Sequence, residues 1–178
     1  MTPIQFPRLL GAILAGGQAR RFGSDKALAL ALLDGRALID HVAQRLRPQV
    51  AALVVVGREH VGLATVADRP KPGLGPLGGL NAALAYAAAQ GFDAVLTSGC
   101  DLPDLPRDLA KRLGEGPAFA VGQPLLGLWP AGLAARLDAH LATSTDRSLR
   151  TWVALSGARE VDLGTFANIN TPSDLARF

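Results

Sequence analysis

Arg8-Leu9-Leu10-Gly11-Ala12-Ile13-Leu14-Ala15-Gly16-Gly17 decides the fold of this chain. From Arg8 to Leu14 the run is almost wholly apolar, too short for a core helix, and halted by Ala15-Gly16-Gly17. Such a run reads as a first strand covered on both faces, with a glycine-rich turn at its C-terminal end. The same rhythm returns along the chain. Leu38, Ile39, Val42, Ala43 and Leu46 recur at helical spacing until Pro48 stops them. Leu53-Val54-Val55-Val56 is a β-branched run suited to a parallel strand. Leu80 to Ala89 is helical by propensity, and Ala94 to Thr97 is the next strand, ending at Ser98-Gly99-Cys100-Asp101. This βαβαβ order predicts an α/β fold: a three-layer, doubly wound, mostly parallel sheet with its ligand at the C-terminal strand edge.

The second half is less regular. It holds a strand-like Gln123 to Trp129, a helix near Ala131 to Leu141, another near Ser148 to Leu155, and a short last helix after Thr171. No internal repeat or low-complexity segment interrupts it, so residues 1–178 read as a single domain.

Composition narrows the function classes. Apolar residues make up 49% of the 178, with 20 glycines and 12 prolines, which fits a compact domain with many tight loops. No apolar run reaches the length of a membrane span. The start, MTPIQFPRLLGAILAGG, lacks a basic region ahead of an apolar one, and the expected location is the cytoplasm. A single cysteine, Cys100, excludes internal disulfides and a cysteine-based zinc site, and reads as a small packing residue. The net charge of +3 comes from arginines scattered along the chain, and aromatics make up only 5%. That pattern fits a protein handling small polyanions rather than nucleic acid or a membrane.

The first chemistry sits in Leu14-Ala15-Gly16-Gly17-Gln18-Ala19-Arg20-Arg21-Phe22-Gly23-Ser24-Asp25-Lys26. A loop that cradles a triphosphate brings backbone N–H groups against phosphate oxygens, and glycine permits that approach. Arg21 and Lys26 stand where the loop returns and supply cations for the β and γ charges. The loop lacks the Gly-Lys-Ser/Thr ending of a Walker A motif and is not GxGxxG, which sets aside ATPases and dinucleotide oxidoreductases.

Two further loops belong to the same predicted edge. Asp68-Arg69-Pro70-Lys71-Pro72-Gly73-Leu74-Gly75-Pro76-Leu77-Gly78-Gly79-Leu80 leads into a helix whose N-terminus offers free N–H groups. Ser98-Gly99-Cys100-Asp101-Leu102-Pro103-Asp104-Leu105-Pro106 puts a carboxylate at a strand end, where one or two carboxylates with substrate phosphates are enough for Mg²⁺. Asp104 reads as a turn or helix-cap residue ahead of Pro106. The three histidines, His41, His60 and His140, lie outside these loops.

Leu14 to Lys26 resembles the LxGGxxxRxGxxK signature of sugar-nucleotide and related nucleotidyltransferases, and its Arg-Phe-Gly-Ser-Asp-Lys ending is similar to the molybdenum cofactor guanylyltransferases. Gly-Pro-Leu-Gly-Gly, with Gly78 in it, resembles the family's second fingerprint, which lies beside the nucleotide. Asp68 matches an aspartate that contacts the guanosine, and Asp101 resembles the metal-binding aspartate of an Asp-x-Pro motif. Gln123-Pro124-Leu125 resembles a segment that begins with histidine in the family, so this chain departs there. Val161 to Leu175, with Ala167-Asn168-Ile169-Asn170-Thr171-Pro172, is close to the family's terminal motif, in which an asparagine approaches the metal and phosphates.

The resemblance implies a Rossmann-like nucleotidyltransferase fold and transfer of GMP from GTP to molybdopterin carrying molybdenum, with Mg²⁺ as cofactor. It assigns Leu14, Ala15, Gly16, Gly17, Lys26, Asp68, Gly78 and Asp101 to the nucleotide, and Arg21, Lys26 and Asp101 to catalysis, with Asp101 on the metal. Cofactor-delivery proteins and molybdoenzymes are the implied protein partners. Two alternatives stand beside this reading: a related enzyme using CTP or a sugar phosphate, and a silent GTP-binding carrier. The tail has a structural reading too, because Thr171, Pro172 and Asp174 form a capping-box-like helix start.

Overall fold

The computed structural model describes residues 7–16 and 35–177. Their strands form one sheet. In chain order these are β1 (Leu9–Leu14), β2 (Ala52–Val56), β3 (Ala64–Val66), β4 (Ala94–Gly99), β5 (Ala118–Ala120), β6 (Gln123–Pro130) and β7 (Arg159–Val161). Their lateral order is β3-β2-β1-β4-β6-β5-β7. The first four are mutually parallel, β6 runs antiparallel to β4 and β5, and β7 pairs parallel with β5. The expected doubly wound, mostly parallel sheet is thus present, with one reversed strand.

Period-2 alternation splits the apolar residues of the strands between two cores. Ile13, Val55, Leu96, Leu126 and Leu128 face one side, under α1 (Leu38–Leu46) and α3 (Leu109–Leu113). Leu10, Val54, Val95 and Trp129 face the other, under α2 (Pro76–Ala89), α4 (Ala134–Thr143) and α5 (Leu149–Ser156). Helix α1 has the limits its apolar spacing predicts and buries Leu38, Ile39, Val42, Ala43 and Leu46. Each large side chain among these contributes roughly 1.5–3 kcal/mol by leaving water.

Helix α2 begins earlier than Leu80, at Pro76, because proline at the first helical position follows a positive-φ Gly75. It is buried along most of its length, and Gly78, Gly79, Ala82 and Ala83 keep it thin enough to lie close to the sheet. At the sheet centre, buried Thr97 joins β4 to β6. Its hydroxyl donates to the Leu125 carbonyl at 2.7 Å and accepts from Trp129 Nε1 at 3.0 Å. Helix α6 (Pro172–Leu175) carries the expected capping box: Thr171 accepts from Asp174 N, and Asp174 accepts from Thr171 N at 2.8 Å.

Candidate functional site

The sheet ends in a usable edge because three parallel strands stop together. Leu14 is in register with Val56 on one side and Gly99 on the other. The chain goes one way from β1 to reach β2 and β3 and the other way to reach β4, so the β1–β4 crevice is the topological switch point where α/β sheets bind ligands. Ala15 N donates to Val56 O at 3.0 Å, so the first loop leaves the sheet still tied to β2. Gly16 then passes so near Gly57 that a Cβ on Gly57 would stand 2.6 Å from Gly16 Cα. Gly57 also has φ +85°, a second reason for glycine there.

Asp68 reaches into this junction. A Cβ on Gly16 would meet Asp68 Oδ2 at 3.2 Å, and one on Gly79 would meet Asp68 Oδ1 at 3.7 Å. Glycine backbones from the β1 end, the β2 end and the first turn of α2 therefore form a cradle around one carboxylate. Among the described residues no cation or donor satisfies it, and burial pushes its pKa up from the ordinary carboxylate value. A partly buried carboxylate with glycines in place of partners has the chemistry to accept hydrogen bonds from a ligand's N–H or O–H groups. The first turn of α2, with no side-chain cap, lies against the same cradle through Gly79.

The second carboxylate follows β4. A Cβ on Gly99 would stand 2.5 Å from Asp101 Oδ1, so the carboxylate folds back over a glycine left bare for it. Its main chain is held by the tail, since Ile169 N donates to Asp101 O at 2.9 Å. Asn168 and Asn170 flank the residue that makes that contact. Asn168 Oδ1 is buried with no hydrogen-bond partner, an acceptor still waiting for a donor or a cation. Among the described residues no three His, Cys, Asp or Glu side chains cluster as a metal site. Asp101 supplies a hard carboxylate donor, of the kind Mg²⁺ takes in small number while keeping several waters and sharing substrate phosphates.

Leu14, Ala15, Gly16, Asp68, Gly78 and Asp101 all lie on or beside this edge. Gly78 is one step removed: a Cβ there would meet Leu74 Cβ at 3.0 Å and Arg69 O at 3.5 Å, so its bareness serves loop packing. Gly17, Arg21 and Lys26 fall outside the described residues. Gly57 was not singled out by the sequence, although a glycine directly after Val54-Val55-Val56 was the available signal. Asp104 stands at a bend in the loop after β4, the turn position of its two expected roles. It caps no helix; Arg45 Nη2 holds it at 2.7 Å, tying the loop after β4 to α1. Cys100 packs against the core, as its size predicts. His60 pairs with Asp40 at 2.7 Å, and the His140 and Trp152 ring centroids lie 6.3 Å apart. No helix among the described residues is long and apolar enough to cross a membrane.

Residues 11–161 match the model of the MobA-like NTP transferase domain. A molybdenum cofactor guanylyltransferase from Cereibacter sphaeroides (strain ATCC 17029 / ATH 2.4.9) is 41% identical, over 96% of this chain and 95% of that protein. One from Sinorhizobium fredii is 37% identical, over 94% and 89%. Among solved structures, molybdopterin-guanine dinucleotide biosynthesis protein A from Archaeoglobus fulgidus superposes with a TM-score of 0.75 at 23% identity, covering 94% of this chain and 95% of that one, a likeness of fold.

Proposed function

The chain belongs to the MobA-like NTP transferase domain family, and from that premise we propose that it transfers GMP from GTP to the molybdenum-bearing molybdopterin. A terminal phosphate oxygen of the pterin attacks the α-phosphorus of GTP. The bond to the β-phosphate breaks, pyrophosphate leaves, and the guanine dinucleotide form of the cofactor results. The observation that carries the reading is the Asp68 carboxylate, without a partner among the described residues, in its glycine cradle at the C-terminal ends of β1 and β2. Guanine offers N1–H and N2–H₂ donors, and ribose offers hydroxyls, so this acceptor suits a guanosine on either group.

Phosphoryl transfer of this kind needs positioning and charge neutralisation more than a protein nucleophile. The backbone of Leu14, Ala15, Gly16 and Gly17 cradles the triphosphate, with Arg21 and Lys26 as its cations. Gly78 lets the helix-entry loop close beside the nucleoside. Asp101 would hold Mg²⁺, with the unsatisfied Asn168 amide oxygen as a candidate second donor. When bound, that ion neutralises phosphate charge and aligns the attacking and leaving oxygens. Asp101 acts by orientation: its main chain is fixed by Ile169 and its carboxylate by the space over Gly99. The reaction belongs in the cytoplasm, with cofactor-delivery proteins and molybdoenzymes taking the product.

Pyrophosphate release with GTP, ATP and CTP, each with and without molybdopterin, tests the proposal. Release only with GTP and molybdopterin together is the expected result. Release with CTP in place of GTP overturns the base assignment, and GTP binding without release overturns the reaction.

A further inference from the structure

The Asp68 carboxylate has a burial cost and, among the described residues, nothing holding it by hydrogen bond or charge. Free of constraint, such a group turns toward water. Its position over Gly16 and Gly79 must therefore be imposed through its own main chain, and the next residue is where the chain is clamped. Arg69 N donates to Gly78 O at 3.2 Å. The Arg69 carbonyl accepts from Asn81 Nδ2 at 3.5 Å. Its guanidinium forms a two-pronged pair with Asp138 of α4, Nε to Oδ1 at 3.1 Å and Nη2 to Oδ2 at 3.2 Å. Asn81 Nδ2 also donates to Asp138 Oδ1 at 2.9 Å, so one buried amide joins α2, α4 and the Asp68 segment.

Stability is a poor explanation for this cluster. Arg69 and Asp138 are 52% and 41% exposed, and a pair so open to water adds little to the folded state. Asn81 is wholly buried and its Oδ1 has no partner, a cost that an apolar residue at that position would avoid. What the cluster does supply is direction. A bidentate fork fixes both the distance and the plane of the guanidinium, and through it the torsions of the residue after Asp68.

We propose that Asp138 is a positioning residue for nucleotide recognition: with Asn81 it grips Arg69 and thereby fixes the Asp68 carboxylate in its glycine cradle. The proposal rests on the reading of Asp68 as the guanosine contact. Asp138 itself lies on the outer helix and acts only through its neighbours.

The test is a double-mutant cycle on GTP affinity, measured calorimetrically in Mg²⁺, on the full chain. Asp138→Ala weakens GTP by about tenfold, a loss in the range expected when a recognition group is displaced by a fraction of an ångström. Arg69→Lys, which keeps the charge and loses the fork, weakens it in the same direction and leaves Asn81 its acceptor on Asp138. Asp138→Asn, which also keeps that acceptor, lies between the parent and the alanine variant. In an Asp68→Ala background both Asp138→Ala and Arg69→Lys change GTP affinity less than about twofold, because the group they position is gone. Equal weakening in both backgrounds overturns the proposal, since the cluster would then act elsewhere. Parent-like GTP affinity in Arg69→Lys and Asp138→Ala, with Asp68→Ala weakened, also overturns it while leaving the Asp68 reading intact. Parent-like affinity in Asp68→Ala alone removes that reading, and the proposal with it.

Discussion

Gly99→Ala separates the carboxylate proposed to hold the metal from the fold that carries it. A Cβ at residue 99 would stand 2.5 Å from Asp101 Oδ1, about 0.9 Å inside the 3.4 Å at which ordinary contact begins. The nearest atoms after it, Asp101 Cγ at 3.6 Å and Asp101 N at 4.0 Å, are comfortable. The main chain has little freedom to yield, because Gly99 is in register with Leu14 and Asp101 O is bonded to Ile169 N. The carboxylate must therefore turn, and a catalytic group displaced by about 1 Å costs on the order of 10²-fold in rate. Folding feels the change much less. The backbone at Gly99 is not in the positive-φ region, and alanine lowers the entropy of the unfolded chain, worth roughly 0.4–1 kcal/mol in favour of the fold. Gly57→Ala makes the opposite case: its Cβ meets Gly16 Cα at 2.6 Å and its φ is +85°, so it should destabilise. Steady-state pyrophosphate release and a thermal melt on both variants decide the matter. A Gly99→Ala enzyme with parental kcat refutes the argument. So does one whose activity falls only in proportion to a lowered Tm, because the methyl would then act through the backbone.

Other expectations follow from the same geometry. Asp101→Asn should lower Mg²⁺-dependent turnover by about 10²-fold or more with the melt unchanged; near-parental activity would remove it from the metal. Lys26→Ala should reduce pyrophosphate release more than it reduces stability, the two compared by steady-state assay and denaturant titration. Asp68→Asn should raise the Tm of the ligand-free protein at neutral pH and weaken GTP. The sign follows from burial raising the folded-state pKa of Asp68: the destabilisation is present above that pKa and fades as pH falls through it, so the two melts should converge in acid. Thr97→Val strands Trp129 Nε1 in the core and should cost about 1–3 kcal/mol in denaturant unfolding, with GTP affinity unchanged.

Much of this was legible in the sequence, where local signals were long or unambiguous. The β1, β2 and β4 runs, the α1 spacing from Leu38 to Leu46 and the Thr171-Pro172-Ser173-Asp174 cap all stand where their residues put them. Helix propensity alone marks α2 only from Leu80, whereas Gly75-Pro76 marks its true start. Strands β3, β5 and β7 are three residues each, too short for alternation to register, and the exposed Arg159 and Glu160 of β7 disguise it further. The site divides in the same way. Asp68 and Asp101 stand out in their motifs, but the cradle does not, because Gly16, Gly57 and Gly79 meet only after three strands have paired. Nor could any local pattern join Arg69 to Asp138 across 69 positions.

The Ile169–Asp101 hydrogen bond has a consequence for the order in which the protein becomes an enzyme during synthesis. Domains form from the N-terminal side as the chain emerges. Strands β1 to β4 can pair as soon as Gly99 is available, and the Arg69–Asp138 pair closes once α4 has emerged, so a nascent chain completes its Asp68 cradle before its tail is made. The turn at Asp101 is braced only after residue 169 has left the ribosome and α6 has capped. With Asp68 and Asp101 in their proposed roles, a half-made chain would hold a nucleotide without the means to cleave it, and translational pausing between these points should yield binding before turnover.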